Sequence, residues 1–335
     1  MSRLADQARK RPLSAEAIGE AMDRIMTGHM KPEEIADLLR ALAERGETAE
    51  ELTAAVQSLR RHATALPLSK PLELCDTCGT GGDGAGTFNI STLAALVAAA
   101  CGVRIAKHGN RAASSRCGSA DVLEALGLNL QATPQQVARS VEELGFGFCF
   151  APAFHSAMKT VAPIRKELGI RTIFNLIGPL ANPAPLTFQL VGVSDEKLLQ
   201  PMAEALQRLG IRHGLVVHGA DGLDEVTTTG ETRVLEVRGG TIEAGRLRPE
   251  EFGISRTTLQ ELRGGDAEAN ARIAREVLSG TASRYREVVA LNAGCAVYVA
   301  ERARSIQEGM AKAEAALDSG RALALLERVV ELSKG

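Results

Sequence analysis

The stretch Cys78-Gly-Thr-Gly-Gly-Asp-Gly-Ala-Gly86, followed by Thr87-Phe-Asn-Ile-Ser-Thr92, decides the fold of this 335-residue chain. An apolar run from Leu72 to Cys78 precedes the glycines and an alanine-rich segment follows them, so the pattern predicts a strand, a loop and a helix. Glycines let backbone N–H groups approach a ligand closely, and a helix N-terminus favours negative charge. The stretch therefore predicts an anion-binding loop.

A second strand, Gly102 to Ala106, runs directly into the loop Lys107-His-Gly-Asn-Arg111. The segment Gly79 to Gly84 formally matches G-x-G-x-x-G, but a dinucleotide site would place Asp or Glu at the end of this second strand, where Lys107 and His108 stand. A Walker A loop is excluded because no Gly-Lys-Ser/Thr follows the glycines. A lysine that faces an anion loop favours additional phosphate in the ligand.

The composition points to an α/β enzyme. Hydrophobic residues make up 45% of the chain and aromatic residues only 3%, so small aliphatic side chains must form the core, as they do where helices pack on a parallel sheet. The net charge of −2 gives no electrostatic footprint for nucleic acid or an anionic membrane. The N-terminus has no apolar signal core, and the longest apolar run, Leu93 to Cys101, is far shorter than the roughly 20 residues that span a bilayer, so we expect a cytoplasmic protein.

The six cysteines are scattered and predict no disulfide framework. Cys75 and Cys78 form a C-x-x-C pair, which suits either a redox centre or half of a zinc site. No second pair exists, and the spacing ends a strand where small buried residues fit, so packing is favoured.

The chain divides into two predicted domains. Residues 14–66 carry three amphipathic helices, with start signals at Ser14, Pro32 and Thr48, and the linker Pro67 to Pro71 separates them from strand and helix alternation. We predict a helical domain at residues 1–70 and an α/β domain with a central, mainly parallel sheet at residues 71–335. The Pro- and Asn-rich segment Arg171 to Pro185 is predicted to be irregular and to cross between the domains, within a returning segment near residues 160–185.

Later elements are read from the same patterns. Strands are predicted at Phe146 to Phe150, Phe188 to Val193 and Gly214 to Val217, and helices at Glu196 to Leu209 and Ala267 to Leu278. A final helix is predicted to run unbroken from Ile306 to Leu332. The sequence after residue 226 indicates no chemistry.

Asp224 and Glu225 follow the strand that ends at Val217, in a glycine-containing loop. One interpretation is a solvated turn, because exposed acids are common. The other is a Mg²⁺ site, because magnesium binds one or two carboxylates together with substrate phosphates.

Six ordered motifs together resemble the anthranilate phosphoribosyltransferase family. They are Asp76-Thr-Cys-Gly-Thr-Gly-Gly-Asp83, Phe88-Asn-Ile-Ser-Thr92, Lys107-His-Gly-Asn-Arg111, Gly118-Ser-Ala-Asp121, Arg171-Thr-Ile-Phe-Asn175 with Gly178-Pro179, and Gly222-Leu-Asp-Glu225. The resemblance covers nearly the whole chain. It implies a small N-terminal α-helical domain plus a larger α/β domain, a homodimer formed through the helical domains, and an active site in the cleft between the domains.

The resemblance also implies the site residues. Phosphoribosyl pyrophosphate would be held by Gly79, Gly82, Asp83, Thr87, Asn89, Ile90, Ser91, Thr92, Lys107, His108, Gly109, Asn110, Arg111, Ala112, Ala113, Ser114, Ser115 and Ser119. Anthranilate would be contacted by Gly79, His108, Asn110, His155 and Arg165, and Mg²⁺, at two ions per site, by Ser91, Asp224 and Glu225. Lys107, Asn110 and Arg165 are the implied catalytic residues.

Several of these residues also have a structural interpretation. Arg165 could pair with Glu167 or Glu143 at a surface, and His108 and His155 could be structural histidines. The chain also departs from the family pattern at Ser156, where proline is expected, and at Ala112, where serine is expected. Neither departure removes a charge or a ligand, so each bears on substrate affinity and not on the type of reaction.

Two other functions remain open from the sequence. A pyrimidine nucleoside phosphorylase shares the architecture, but would be expected to carry Lys-His-Ser and further glycines in place of Lys107-His-Gly-Asn-Arg111. A non-enzymatic nucleic-acid-binding relative is the second. The near-neutral charge and the pair Asp224 and Glu225 count against it.

Overall fold

The structure is a computed structural model that describes residues 3–112 and 115–335. The strands are β1 (Leu74–Thr77), β2 (Ile105–Gly109), β3 (Phe146–Phe150), β4 (Leu186–Gly192), β5 (His213–Gly219), β6 (Thr232–Arg238) and β7 (Thr241–Leu247). The helices are α1 (Arg3–Lys10), α2 (Ala15–Met26), α3 (Pro32–Arg45), α4 (Ala49–Arg61), α5 (Ile90–Ala100), α6 (Ser119–Ala125), α7 (Pro134–Leu144), α8 (Ala151–Phe154), α9 (Ala162–Leu168), α10 (Ile173–Leu180), α11 (Leu199–Arg208), α12 (Ala267–Leu278), α13 (Arg284–Val299), α14 (Ile306–Asp318) and α15 (Arg321–Ser333).

The described strands form one sheet in the order β3-β2-β1-β4-β5-β6-β7. β1 to β5 run parallel, while β6 and β7 add an antiparallel hairpin at one edge. The chain builds the sheet outward from β1 to β3 and then returns to the other side of β1 with β4. Ligands of open α/β sheets bind beyond the carboxyl ends of the strands where the order reverses in this way. The loops after β1, β2 and β5 share this end of the sheet, and the mainly parallel α/β fold is confirmed.

The N-terminal helices share a hydrophobic core with α9, α10 and α11. Their start signals are confirmed: Ser14 accepts a hydrogen bond from the N–H of Ala17 at 3.2 Å, and Thr48 accepts one from the N–H of Glu51 at 3.3 Å. Glu51 is fully buried and also accepts from Arg45 and from the N–H of Leu13. The buried carboxylate thereby ties α4 to α3 and to the segment before α2.

The opposite face of the sheet is covered by α5 and α13, and α14 packs on these two helices. α5 starts at the end of the glycine-rich loop and is apolar on all sides, as expected of a helix between a sheet and a second helical layer. It fixes the position of the glycine-rich loop relative to the sheet.

Four predictions about secondary structure were wrong. Residues 173–180 form α10 instead of an irregular segment, because Thr172 and Asn175 cap its N-terminus. Pro179 is the last residue but one of this helix, so its ring and its missing N–H disturb only the final turn. The predicted final helix is divided into α14 and α15 at Gly320, whose φ is +72°. Helix α1 was not predicted. β2 begins later than predicted and includes Lys107 and His108, which pair in register with Phe148 and Cys149 of β3.

Candidate active site

The glycine-rich loop leaves β1 at the point where the strand order reverses. Four of its glycines, Gly81, Gly82, Gly84 and Gly86, have φ between +66° and +80°, a region that disfavours other residues. Gly79 serves a different purpose, because a Cβ atom there would collide with the side chain of Asp224. The loop is therefore shaped to bring its backbone against the loop that follows β5.

Three carboxylates meet at this junction. Asp224 accepts a hydrogen bond from the N–H of Gly81 at 2.7 Å, and Glu225 accepts one from the N–H of Ser91 at 3.0 Å. Burial raises the pKa of Glu225 to about 8, and the charge of Asp224 adds to the shift. Burial together with the charge of Asp83 also raises the pKa of Asp224. The solvated turn that the sequence left open does not describe this arrangement.

The donor set at this junction fits Mg²⁺. Among the described residues no group of three or more His, Cys, Asp or Glu side chains forms a preassembled metal cage. Two adjacent carboxylates and the hydroxyl of Ser91 are instead the kind of partial oxygen set that magnesium completes with water and substrate phosphate. Burial is the main cause of the raised pKa values of the two carboxylates, and their acidic neighbours add to it, so a nearby divalent cation would favour their charged forms.

Lys107 lies inside this acidic region and not in an open loop. It is 1% exposed, and its Nζ donates to the carbonyl of Thr77 at the end of β1. Its charge opposes the rise in the pKa of Glu225 and of Asp76, whose own pKa burial raises to about 6. The lysine therefore offsets part of the negative charge beneath the glycine-rich loop.

His108 and His155 occupy the other side of β2. Their ring centroids lie 5.2 Å apart, and Nδ1 of His108 lies 3.1 Å from the carbonyl oxygen of Gly178 in α10. Burial lowers the pKa of His108 to about 3 and that of His155 to about 4, so both rings are neutral at pH 7. By geometry, Nε2 of His108 and both ring nitrogens of His155 lack a hydrogen-bond partner among the described residues, although the nearby backbone of Ala181 favours the protonated form of His155. A ligand that reached these buried nitrogens would supply the hydrogen bonds that they lack.

Arg165 projects from α9 toward α10. Its guanidinium donates to Oδ1 of Asn175 at 3.2 Å and lies over the ring of Phe174 at 5.6 Å. In the described part of the chain it forms no ion pair, so the predicted surface pairing with Glu167 or Glu143 is wrong; Glu143 pairs with Arg139. Burial lowers the pKa of Arg165. A partly buried cation without a carboxylate partner is suited to an anionic ligand.

The segment after β2 turns back over the N-terminus of α6. Asp121 accepts from the N–H groups of Ala112 and Gly118, at 2.9 Å each, and Ser119 donates to the carbonyl of Asn110. Arg111 is already paired with Asp121 and Glu124. The predicted ligand residues Ala113 and Ser114 lie outside the described residues, while Ser115 is exposed beside them.

The structure brings most of the predicted phosphate-binding residues together, but the side chains of some of them are buried in the core. Ile90 and Thr92 are buried in the first turn of α5, whereas Gly82 is exposed and Asp83, Thr87, Asn89 and Ser91 are partly exposed. No hydrogen bond or ion pair links Arg165 to Gly79 or Asn110 among the described residues.

The cysteine pair lacks the features of a redox centre. Both Cys75 and Cys78 are free, and burial raises the pKa of each thiol, the opposite of what a reactive thiolate needs. This favours the packing interpretation.

The sequence analysis missed the contribution of the region after residue 226. The segment Leu262–Gly265 lies across Gly86–Phe88, with a hydrogen bond from the N–H of Gly264 to the carbonyl of Gly86 at 2.9 Å. Two buried asparagines, Asn270 and Asn292, reach toward the site from α12 and α13. One feature of the sequence indicated this contribution: Asn292 lies inside the apolar run Val288 to Val299, and a buried polar side chain needs hydrogen-bond partners.

Comparisons with known proteins agree with this geometry. The profile of the glycosyl transferase family, a/b domain, matches residues 72–323, and that of the glycosyl transferase family, helical bundle domain, matches residues 2–63. The chain is 53% identical to anthranilate phosphoribosyltransferase from Rubrobacter xylanophilus over 324 residues, which cover 96% of this chain and 94% of that one.

Solved structures show the same similarity. The crystal structure of anthranilate phosphoribosyltransferase from Thermus thermophilus is 49% identical, with a TM-score of 0.94 over 100% of both chains. The enzyme from Saccharomyces cerevisiae in complex with PRPP and Mg is 31% identical, with a TM-score of 0.88 over 96% of this chain and 94% of that one. No helix within residues 3–112 and 115–335 combines the length and apolar character required to cross a bilayer.

Proposed function

The chain belongs to the anthranilate phosphoribosyltransferase family, and we propose that it transfers the 5-phosphoribosyl group of phosphoribosyl pyrophosphate to the amine of anthranilate. The products are N-(5-phosphoribosyl)anthranilate and pyrophosphate, and the reaction serves tryptophan biosynthesis. The observation that carries the proposal is the glycine-rich loop held against the carboxylates of Asp224 and Glu225 at the reversal point of the sheet.

Phosphoribosyl pyrophosphate is proposed to lie along the glycine-rich loop and the turn after β2. The backbone of Gly79 to Gly86 and the first turn of α5 offer N–H groups to the pyrophosphate. The remaining proposed ligands are Thr87, Asn89, Ile90, Ser91, Thr92, Lys107, His108, Gly109, Asn110, Arg111, Ala112, Ala113, Ser114, Ser115 and Ser119.

Ser91, Asp224 and Glu225 are proposed to hold Mg²⁺, at two ions per site. The bound cation supplies Lewis-acid stabilisation of the negative charge on the departing pyrophosphate. Lys107 also favours a charged Glu225, because its ammonium group opposes the rise in the pKa of that carboxylate. The raised pKa values of Asp224 and Glu225 are consistent with a site that is completed only by cation and substrate.

The reaction itself requires one bond to form and one to break at C1 of the ribose. The amine nitrogen of anthranilate attacks C1 with inversion as the C1–O bond to pyrophosphate breaks, and the amine then releases a proton to water. An aromatic amine is neutral at pH 7, so no strong general base is obligatory. The main task of the protein is electrostatic stabilisation of the leaving group by preorganised donors.

Anthranilate is proposed to bind on the side of Arg165, His108 and His155, with Gly79 and Asn110 completing the contact. The guanidinium of Arg165 has no carboxylate partner among the described residues and suits the carboxylate of anthranilate. Bidentate contact would fix the plane of the anthranilate ring. The neutral histidines, with unpaired ring nitrogens, can accept or donate one hydrogen bond without adding charge.

The proposed organisation follows the family. A helical domain at residues 1–70, joined by the segment near residues 160–185, and an α/β domain at residues 71–335 would close on the substrates from two sides. We propose that the protein is a cytoplasmic homodimer assembled through the helical domains.

The loss of anthranilate fluorescence tests the function. Protein, anthranilate, phosphoribosyl pyrophosphate and Mg²⁺ should give a time-dependent decrease that stops when a chelator is added. Parallel reactions with a pyrimidine nucleoside and inorganic phosphate, and a DNA mobility shift, should give no signal. Unchanged fluorescence in the complete mixture would reject the proposed activity, whereas phosphorolysis or DNA binding would revive the corresponding alternative.

A further inference from the structure

We propose that Asn270 on α12 and Asn292 on α13 are positioning residues that separately fix the two loops of the substrate site. Asn270 fixes the sugar-donor loop through Asn89, and Asn292 fixes the loop that carries Asp224 and Glu225. The inference rests on the proposed function. It assigns a role in that site to the part of the chain that carries none of the motifs.

Asn270 lies between two segments that are far apart in the sequence. Its side chain is 2% exposed, its Oδ1 accepts from the N–H of Gly265 at 2.7 Å, and its Nδ2 donates to Oδ1 of Asn89 at 2.9 Å. The backbone N–H of Gly265 can only donate, so it determines which end of the Asn270 amide faces Asn89. The orientation of the Asn89 side chain is thereby determined as well.

Asn89 in turn bonds a third segment, the turn before α6. Its Nδ2 donates to the carbonyl of Cys117 at 3.2 Å, just before α6 begins. Around this chain of bonds the backbone is closely packed: the N–H of Phe88 donates to the carbonyl of Leu262 at 3.3 Å, and a Cβ atom at Gly264 would lie 2.7 Å from the backbone of Phe88. Asn270 thus connects the glycine-rich loop, the Leu262–Gly265 segment and the turn before α6.

Asn292 acts on the other loop. It is fully buried, its Oδ1 accepts from the N–H of Val226 at 3.0 Å, and its Nδ2 donates to the carbonyl of the same residue at 2.8 Å. Val226 directly follows Glu225, and Asn292, Glu225 and Ser91 line one small void beneath the glycine-rich loop. The amide of Asn292 bonds both the N–H and the carbonyl of Val226, so it fixes the backbone at this point and thereby the direction of the Glu225 side chain.

A purely structural role predicts a different pattern from a positioning role. A buried asparagine with satisfied partners contributes to stability wherever it lies, and its loss leaves buried donors and acceptors unpaired. Stability alone, however, would not separate the two asparagines, because both are buried on adjacent helices and both bond backbone groups. Positioning predicts that each asparagine governs a different binding parameter.

The test applies the same substitution at both positions, Asn270→Leu and Asn292→Leu. Calorimetry would measure the Kd of phosphoribosyl pyrophosphate at saturating Mg²⁺, and the Mg²⁺ concentration that gives half-maximal binding of the donor. We expect Asn270→Leu to raise the Kd about tenfold while the Mg²⁺ midpoint changes less than twofold. Asn292→Leu should raise the Mg²⁺ midpoint about tenfold, with the Kd recovered at saturating Mg²⁺.

A double-mutant cycle identifies the route of the Asn270 effect. If Asn270 acts through Asn89, adding Asn270→Leu to Asn89→Ala should change the Kd less than twofold, because the constrained group is already absent. Should either leucine variant fail to fold, Asn270→Ser and Asn292→Ser replace the amide with a shorter polar side chain, and the same separation of parameters is expected.

The outcomes are distinct. Equal effects of both variants on both parameters, or unchanged binding with a lowered Tm, would overturn the positioning roles. Additive effects in the Asn89 cycle would overturn the route through Asn89. Failure of the unmodified protein to bind phosphoribosyl pyrophosphate would instead reject the proposed function.

Discussion

The two sides of β2 differ sharply in charge. On the side of the glycine-rich loop, Asp83, Asp224 and Glu225 crowd together, and the pKa values of the last two are raised. On the side of α9 and α10, His108 and His155 are neutral rings near the charge of Arg60, and Arg165 projects from α9 toward α10. Neither arginine forms an ion pair in the described part of the chain.

This difference indicates how one cleft can bind two anionic substrates by different means. On the acidic side, a divalent cation would favour the charged forms of Asp224 and Glu225 and link them to an anion, whereas a carboxylate on the other side can pair directly with a guanidinium. The two sides should therefore respond differently to chelators, to charge removal and to pH.

The largest effect is expected from removing a carboxylate on the acidic side. Glu225→Gln should lower kcat/KM roughly 1000-fold, because the leaving group loses the cation that stabilises its charge. Steady-state kinetics over a range of Mg²⁺ concentrations would measure the loss. Glu196→Gln, an exposed acid that pairs with Arg233 on the surface, is the control and should leave activity unchanged. Full activity of Glu225→Gln at ordinary Mg²⁺ concentrations would contradict the distinction between the two sides.

Removing the cation on the other side should affect one substrate only. Arg165→Ala is expected to raise the KM for anthranilate about 100-fold, equivalent to ~3 kcal/mol, while the KM for phosphoribosyl pyrophosphate stays within threefold. Arg165→Lys keeps the positive charge but lacks the planar guanidinium, so its KM for anthranilate should lie between that of the unmodified protein and that of Arg165→Ala. Lys166→Ala, the exposed neighbour, is the control. Parallel losses for both substrates would show that the two sides are not independent.

Acid should destabilise the side that carries the histidines. The pKa of His155 is lowered from 6.5 to about 4 in the fold, so the unfolded chain takes up its proton first as the pH falls below 6.5. Stability from this group is complete above that pH, and at pH 5 about 2 kcal/mol is lost. Urea unfolding of the protein and of His155→Gln at pH 7.5 and pH 5 would measure the difference.

The comparison must allow for other titrating groups. Besides burial, the charge of Arg60 disfavours protonation of His155, whereas a hydrogen bond with the backbone of Ala181 favours it. His108 lies beside this ring, and the charge of a protonated His155 lowers the pKa of His108. The quantity to examine is therefore the change in pH sensitivity between the protein and His155→Gln. His29→Gln, at an exposed histidine, is the control. Equal pH sensitivity in all three proteins would mean that His155 is not held neutral.

The smallest effect is expected where a cation is already paired. Arg111 bonds Asp121 and Glu124 and is half exposed, so little of its charge is available to an anion. Arg111→Ala should change the KM for phosphoribosyl pyrophosphate less than threefold and leave stability nearly unchanged, because exposed ion pairs contribute little. A tenfold rise in this KM would show that the ion pairs open when substrate binds.

The parts of the site that could be predicted from sequence are those built from contiguous motifs. Adjacent residues carry the chemistry of the loop Gly79 to Gly86 and of the pair Asp224 and Glu225. The predicted alternation of strands and helices also put this loop and this pair at the same end of the sheet. The starts of α2 and α4 were equally clear, because Ser14 and Thr48 with Glu51 act within one turn.

The parts that could not be predicted depend on distant contacts. Asn270 acts on Asn89 across 181 positions, and nothing near either residue in the sequence signals the other. Lys107 was expected in a loop because glycine follows it closely, yet pairing with β3 extends the strand past it. α10 forms despite Pro179, because packing of its apolar face against the helical core outweighs local propensity.

The hairpin of β6 and β7 has a consequence for the behaviour of the molecule in crowded solution. An unpaired strand at a sheet margin can recruit strands of other chains and start aggregation. Here the margin is β7, which is largely solvated and carries Glu243, Gly245 and Arg246, a combination of charge and glycine that discourages such recruitment. β6 and β7 therefore shield the parallel strands at this margin only, because β3 forms the other margin of the sheet.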